Sequence, residues 1–194
     1  MERINSVITS WRWIVLSVIA VLFLYTIPVG AAGIETERSI VVDGVNRDFI
    51  EYQPDGYDEN QAYPVLFIFH GHRGNARGAM NNYDLQQLAD QEGFIVIAPD
   101  SLTPPSHDFV VDIPFVGQQT VFQNYDLTGK RWEIAEMQQP LINRCTSGDI
   151  NLVEGIVNTL KQEHNIVNSH IFAAGHSQGA VFAYYVAMCS EDIT

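Results

Sequence analysis

The stretch from His170 to Met188, HIFAAGHSQGAVFAYYVAM, constrains the fold more than any other part of the chain. A short apolar run, Ile171 to Ala174, has strand length and ends at glycine. Gly175-His176-Ser177-Gln178-Gly179 follows, a G-x-S-x-G match, and then an apolar, helix-compatible run from Ala180 to Met188. A serine on a sharp turn between strand and helix sits in strained backbone with its hydroxyl pushed out beyond the sheet edge. Gly175 and Gly179 carry no Cβ, so strand and helix can close up on either side of the turn. The helix after Ser177 directs unpaired N–H groups at any negative charge forming there. The amide of Gln178 is then a natural donor to an oxyanion. A glycine-rich turn with a solvent-exposed serine also satisfies the bare pattern; the β-run before it and the helix after it favour a nucleophile.

A length of 194 residues suits one domain with a real core. The net charge of −13 argues against nucleic acid as a partner and makes anionic surfaces unfavourable. Residues 1–32 stand apart. Arg3 and Arg12 give a basic start, Ile14 to Ile27 is continuously apolar, and Val29-Gly30-Ala31-Ala32 supplies small residues. That is the layout of a secretory signal peptide cleaved near Ala31 or Ala32. The apolar run is shorter than the ~20 residues of a spanning helix. Counting Trp11 and Trp13 with it leaves the alternative of a membrane anchor over residues 11–27. Export to a secreted, periplasmic or extracellular location makes Cys145 and Cys189 a candidate disulfide rather than a metal pair; the alternative is two free thiols. Closing that loop is worth ~4 kcal/mol in the chain-entropy picture.

Ser39 to Pro54 reads as a β-hairpin, SIVV and FIEY joined through Asp43-Gly44, and Gln53 to Tyr63 as a polar loop. Pro64 to Phe69, PVLFIF, suits a parallel strand covered on both faces. It delivers His70-Gly71-His72-Arg73-Gly74 to the carboxyl edge of the sheet, where open α/β sheets hold ligands. The backbone amide of His72 is read there as a second oxyanion donor, against an ordinary βα turn. The side chains of His70, His72 and Arg73 are not read as catalytic. Ala79 to Gln91 fits one amphipathic helix with Met80, Tyr83, Leu85 and Leu88 as its stripe, stopped at Gly93. Phe94 to Ala98 is a second buried strand.

Ser101 to Gly148 is the least regular region, with Pro104-Pro105, Pro114, Gly117, Gly129 and Pro140 among Phe109, Phe115, Phe122, Tyr125 and Trp132. It is expected to be a lid-like or substrate-pocket insertion, against a surface excursion. Asp149 to His164 reads as a helix with Leu152, Ile156, Val157 and Leu160 on one face and Asp149 as a cap. Asn165 to Ser169 leads into the strand before Ser177.

With PVLFIFHGHRGN, LADQEGFIVIAPDS and GDINLVEGIVNTLKQEHNIVNSHIFAAGHSQGA, the chain resembles the secreted α/β-hydrolases, most of all the polyhydroxybutyrate depolymerase and feruloyl esterase group. The resemblance implies an α/β-hydrolase fold over residues 37–194, a mostly parallel sheet with helices on both faces, truncated after the helix that follows Ser177. It implies a serine carboxylic-ester hydrolase in which Ser177 is the nucleophile and the amides of Gln178 and His72 form the oxyanion hole. Small-molecule or polymeric esters would be the substrates, with no cofactor and no metal. In this fold the triad runs Ser, then Asp or Glu, then His. Glu191 and Asp192 follow Ser177, but no histidine does. His176 belongs to the turn, His70 and His72 to the loop before it, and His107 to the insertion. The triad acid and base are therefore expected to be missing from this chain, which reads as a fragment. A truncated non-catalytic binding or membrane-tethered module is the alternative, and a peptidase of the same fold is a further one.

Overall fold

Asp43 and Gly44 both have positive φ, 52° and 79°, the backbone a two-residue hairpin turn needs to match the right-handed twist of its strands. They join β1 (Ile34–Val42) to β2 (Val45–Gln53) in register from Ile34↔Gln53 to Val42↔Val45. The structure, a computed structural model, describes residues 33–102, 107–113, 117–125, 129–133 and 145–194. The signal-peptide and anchor readings of residues 1–32 lie outside these. Among the described residues no helix is long and apolar enough to cross a membrane.

Beyond the hairpin come β3 (Tyr63–Phe69), α1 (Ala76–Asn81), α2 (Leu85–Glu92) and β4 (Ile95–Pro99). Then follow β5 (His107–Ile113), β6 (Gly117–Tyr125), α3 (Gly148–Glu163), β7 (Ile166–Gly175) and α4 (Gln178–Cys189). The main sheet has the order β1-β2-β4-β3-β7. β3 lies parallel to both β4 and β7, while β2 joins β4 antiparallel. The sheet is thus mixed: parallel β4, β3 and β7 form one half, and the hairpin adds an antiparallel half because β2 pairs directly with β4.

The alternation of β3 separates two cores. Val65, Phe67 and Phe69 face Leu152 and Ile156 of α3 and Phe182 and Val186 of α4. On the other face, Ile68 joins Val96 and Ala98 against Ala79 and Met80 of α1 and Leu85 and Ala89 of α2. A strand buried on both faces has no polar side to show, which is why β3 and β4 read as unbroken apolar runs. Helices cover both faces of the sheet, as expected of this fold.

Three local expectations need correction. The single helix over Ala79 to Gln91 is two, broken where Asp84 takes a left-handed conformation, φ 49° and ψ 36°. Asparagine and aspartate tolerate that region because their short side chains bond locally. The break turns the stripe, so Met80 and Leu85 are buried while Tyr83 and Leu88 stand 44% exposed. Gly93 does close α2 in the left-handed region, its N–H donating to Ala89 O at 2.8 Å. Secondly, Asp149 is not the cap of α3. Ser147 is, its side chain accepting from the Ile150 N–H, and Asp149 is freed for an ion pair described below. Finally, the insertion is less irregular than its prolines suggest: β5 and β6 form an antiparallel pair within it. Its turn residues lie largely outside the strands, and the β-prone stretches DFVVDI and TVFQNY lie between them.

Candidate functional site

The carboxyl ends of β3, β4 and β7 lie side by side, because the three strands are parallel neighbours. Each releases its loop at the same edge: His70 to Gly74, Asp100 to Leu102, and His176 to Ser177. At the last of these, Ser177 has φ 53° and ψ −120°, outside the regions open to ordinary residues. A non-glycine residue held there signals backbone over-determined by its surroundings. Gly179 N–H donates to His176 O at 2.8 Å, and Ala180 N–H to Ser177 O at 3.1 Å, so the chain passes from turn to helix without slack. The flanking glycines leave no room for a side chain. A Cβ on Gly175 would lie 2.4 Å from Gly179 C and O, and one on Gly179 would lie 2.2 Å from Phe69 O. Ser177 is exposed and its side chain makes no cap bond to α4. The Gln178 amide stands in the first turn of α4, among the N–H groups a helix cannot pair within itself.

The loop after β3 lies against this turn. A Cβ on Gly71 would approach His176 O and the Ser177 Cβ at 3.3 Å. Arg73 has φ 63°, and Gly74 N–H returns to Gly71 O at 2.9 Å, giving a tight turn around His72. Asn75 caps α1 by accepting from Gly78 N–H at 2.7 Å, and Asp100 Oδ1 accepts from Ala76 N–H at 2.7 Å. His70 is buried beneath the loop, with Nδ1 2.8 Å from Gly71 O and Nε2 3.2 Å from the Ser101 amide. Burial lowers its pKa, against the opposing pull of the Gly71 carbonyl and Asp100. A neutral ring donating to Gly71 O and accepting from Ser101 fits those partners, so His70 is a structural tie. The pKa of His72 is also lowered, by burial and then by Arg73 and Arg131.

Residues 129–133 run across the back of this edge. Arg73 N–H donates to Lys130 O at 2.9 Å and Arg131 N–H to Leu102 O at 3.0 Å. Trp132 is 1% exposed and lies parallel to Phe182 with ring centres 4.6 Å apart. Its Nε1–H donates to His70 O at 2.7 Å, and its backbone N–H to Gln178 Oε1 at 3.2 Å. Asp149, buried, pairs with buried Arg47 and accepts from Glu133 N–H at 2.7 Å. Burial raises the Asp149 pKa, with the Glu133 amide and Arg47 pulling the other way. Sequence reading counted Trp132 only among the aromatics of the insertion and missed Arg47. The one local signal was a tryptophan directly after Lys130 and Arg131 in an otherwise turn-rich stretch.

Ser177, Gln178, His72, Gly175 and Gly179 therefore meet at one edge. The possible acids do not join them: Asp192 pairs with Lys161, and Glu191 is exposed. His164 Nε2 lies 2.9 Å from Glu51 and its Nδ1 2.8 Å from Tyr57 Oη, while His170 Nδ1 lies 3.2 Å from Ser169 Oγ. The side chain of His107 lies outside the described residues. Among the described residues no group of three His, Cys, Asp or Glu side chains could hold a metal ion. Cys145 and Cys189 form a disulfide, Cα–Cα 5.1 Å, tying the start of the α3 segment to the end of α4. A cavity of about 160 Å³ lies beside the turn, lined in part by Gly71, His72, Asn82, Tyr83 and His176. A larger one of about 480 Å³, bordered by Asp48, Ile50, Arg77 and Asp100, includes no residue of the turn around Ser177.

No family model matches the sequence. It is 25% identical over 142 residues to the bifunctional acetylxylan esterase/xylanase XynS20E of Neocallimastix patriciarum, spanning 73% of this chain and 16% of that protein. Among solved structures it is similar to a ferulic acid esterase, TM-score 0.55 at 11% identity, over 84% of this chain and 57% of that one. An S-formylglutathione hydrolase from Agrobacterium tumefaciens gives a TM-score of 0.57 at 19% identity, over 84% of this chain and 56% of that one. An acetyl xylan esterase from Aspergillus awamori gives 0.53 at 18%, over 78% and 46%. The chain thus spans about half the length of these structures and far less of the curated relative. Over the span it shares with these esterases, the chain has the α/β-hydrolase fold.

Proposed function

We propose that this chain carries the nucleophile half of a serine carboxylic-ester hydrolase acting on acetyl, feruloyl or polyester-type esters. The observation that carries the reading is the backbone of Ser177, held at φ 53° and ψ −120° at the head of α4 with the Gly71–His72 loop against it. The similarity to feruloyl and acetyl xylan esterases supports the same reaction class.

In this reading Ser177 Oγ attacks the ester carbonyl, and the charge that develops on the carbonyl oxygen is met by the amides of Gln178 and His72. The tetrahedral intermediate collapses, the alcohol leaves with the proton taken from Ser177, and water then releases the acid from the acyl-enzyme. The proton needs a base, and a base needs an orienting acid. No histidine follows Ser177, and His70, His164 and His170 are committed to other partners. In this reading no base or acid is assigned to Ser177 among the described residues, and the chain order of this fold would place both after Ser177. The disulfide supports export, and with it residues 1–32 as the signal segment.

The test is turnover by the protein isolated from its native source, using an aryl acetate, methyl ferulate and the matching amides, beside Ser177→Ala. Ester hydrolysis that vanishes in the variant is the expected result. Amide turnover equal to ester turnover would make it a peptidase. No turnover of either would leave a binding module.

A further inference from the structure

The strap formed by Lys130, Arg131 and Trp132 touches both sides of the proposed oxyanion hole, and neither contact is needed merely to fill the core. Resting on the ester-hydrolase reading above, we infer that Trp132 is a positioning residue that holds the Gln178 and His72 amides in register around Ser177. Trp132 Nε1–H is bonded to His70 O, two residues before His72, at 2.7 Å. On the other side of His72, Arg73 N–H is bonded to Lys130 O at 2.9 Å. The peptide of His72 thus lies between two pins from one strap. The third pin is Trp132 N–H on Gln178 Oε1 at 3.2 Å, which fixes the first residue of α4.

The indole is placed by packing: it lies parallel to Phe182, interplanar angle 7°, and edge-on to Phe69, with centres 5.1 Å apart. The strap itself is anchored, Arg131 N–H on Leu102 O at 3.0 Å and Lys130 on Asp100, whose other oxygen holds the first amide of α1. A phenylalanine at 132 would fill nearly the same space but would leave the buried carbonyl of His70 without the indole N–H. Hydrogen-bond donors aimed at an oxyanion work through fixed position, so loosening both sides of the hole slows the chemical step without changing how substrate first binds.

The experiment is the rate of Ser177 labelling by a fluorophosphonate in the native full-length protein, Trp132→Phe and Gln178→Met, with saturation of the rate separating maximal labelling from reversible binding. Maximal labelling should fall about tenfold in Trp132→Phe, less than the loss of a whole donor, with reversible binding unchanged. Gln178→Met, which keeps its backbone amide, should fall by a smaller factor. Ile156→Val trims a fully buried side chain of α3 and touches neither hydrogen bond nor the indole stack; it should lower the melting temperature and leave maximal labelling within about twofold. Amide hydrogen exchange provides a readout independent of activity: Arg73 and Gly74 should exchange faster in Trp132→Phe. Absence of labelling in the unaltered protein would overturn the ester-hydrolase reading and leave the exchange result to decide the positioning of the loop. Unchanged maximal labelling and unchanged exchange in Trp132→Phe would overturn the inference, as would an Ile156→Val variant as slow as Trp132→Phe.

Discussion

The two ends of the central sheet are held by opposite means. At the carboxyl edge, Ser177 is strained backbone with glycines on both sides, stabilised by close approach and short main-chain bonds. Where β7 begins, buried charges are gathered instead. Glu51, 2% exposed, meets Arg38, Gln53 and His164, and Tyr57 closes the group against the far side of the His164 ring. Burial would raise the Glu51 pKa, but the nearby His164 ring and the hydrogen bonds from Gln53 and Arg38 outweigh it and bring it to about 2. One end keeps a hydroxyl exposed with unpaired amides beside it; the other leaves its carboxylate fully paired. Strain is concentrated where chemistry is proposed, and electrostatic satisfaction where only the fold has to be secured.

Substitutions at the two ends should therefore separate activity from stability. The largest effect is expected for Gly179→Ala. Its Cβ would meet the Phe69 and His70 carbonyl oxygens at 2.2 and 2.5 Å, and backbone on both sides cannot give way. Denaturant unfolding should show a loss of about 3 kcal/mol or more, with labelling of Ser177 abolished. Glu51→Gln should cost on the order of 2–3 kcal/mol at pH 7 and leave labelling unchanged. The sign of its pH dependence is fixed by a folded pKa of about 2 against the ordinary 4.5. The contribution of Glu51 is complete above about pH 4.5 and is lost as the pH falls through about 2. The gap between parent and variant, followed by acid titration of unfolding, should close over that window. The smallest effect belongs to neither end: Ser147→Ala removes the cap of α3 and should cost about 1 kcal/mol with no change in labelling.

The carboxyl edge was legible in the sequence because its parts are contiguous. Strand, G-x-S-x-G and helix occupy Ile166 to Cys189 without interruption, and the Phe69–Gly74 loop ends an unbroken apolar run. The disulfide was legible from cysteine count and the export reading. The ties beneath the edge were not, since they join residues far apart in sequence: Trp132 reaches His70 across 62 positions and Gln178 across 46. Arg47 and Asp149, 102 positions apart, form a buried pair that no local pattern announces. Asp149 sits one turn-start away from the true cap Ser147, and both residue types favour helix starts. Periodicity could not see the break at Asp84 either, because Met80 and Leu85 fit one helical stripe as well as two. In the insertion, prolines and glycines near the ends of β5 and β6 masked two paired strands.

The most direct test of the account is fluorophosphonate treatment of the native full-length protein, followed by peptide mapping of the adduct. The account predicts one adduct, on the peptide that carries Ser177, formed in the folded protein and absent after denaturation and in Ser177→Ala. An unlabelled folded protein, or an adduct on any other residue, would contradict it.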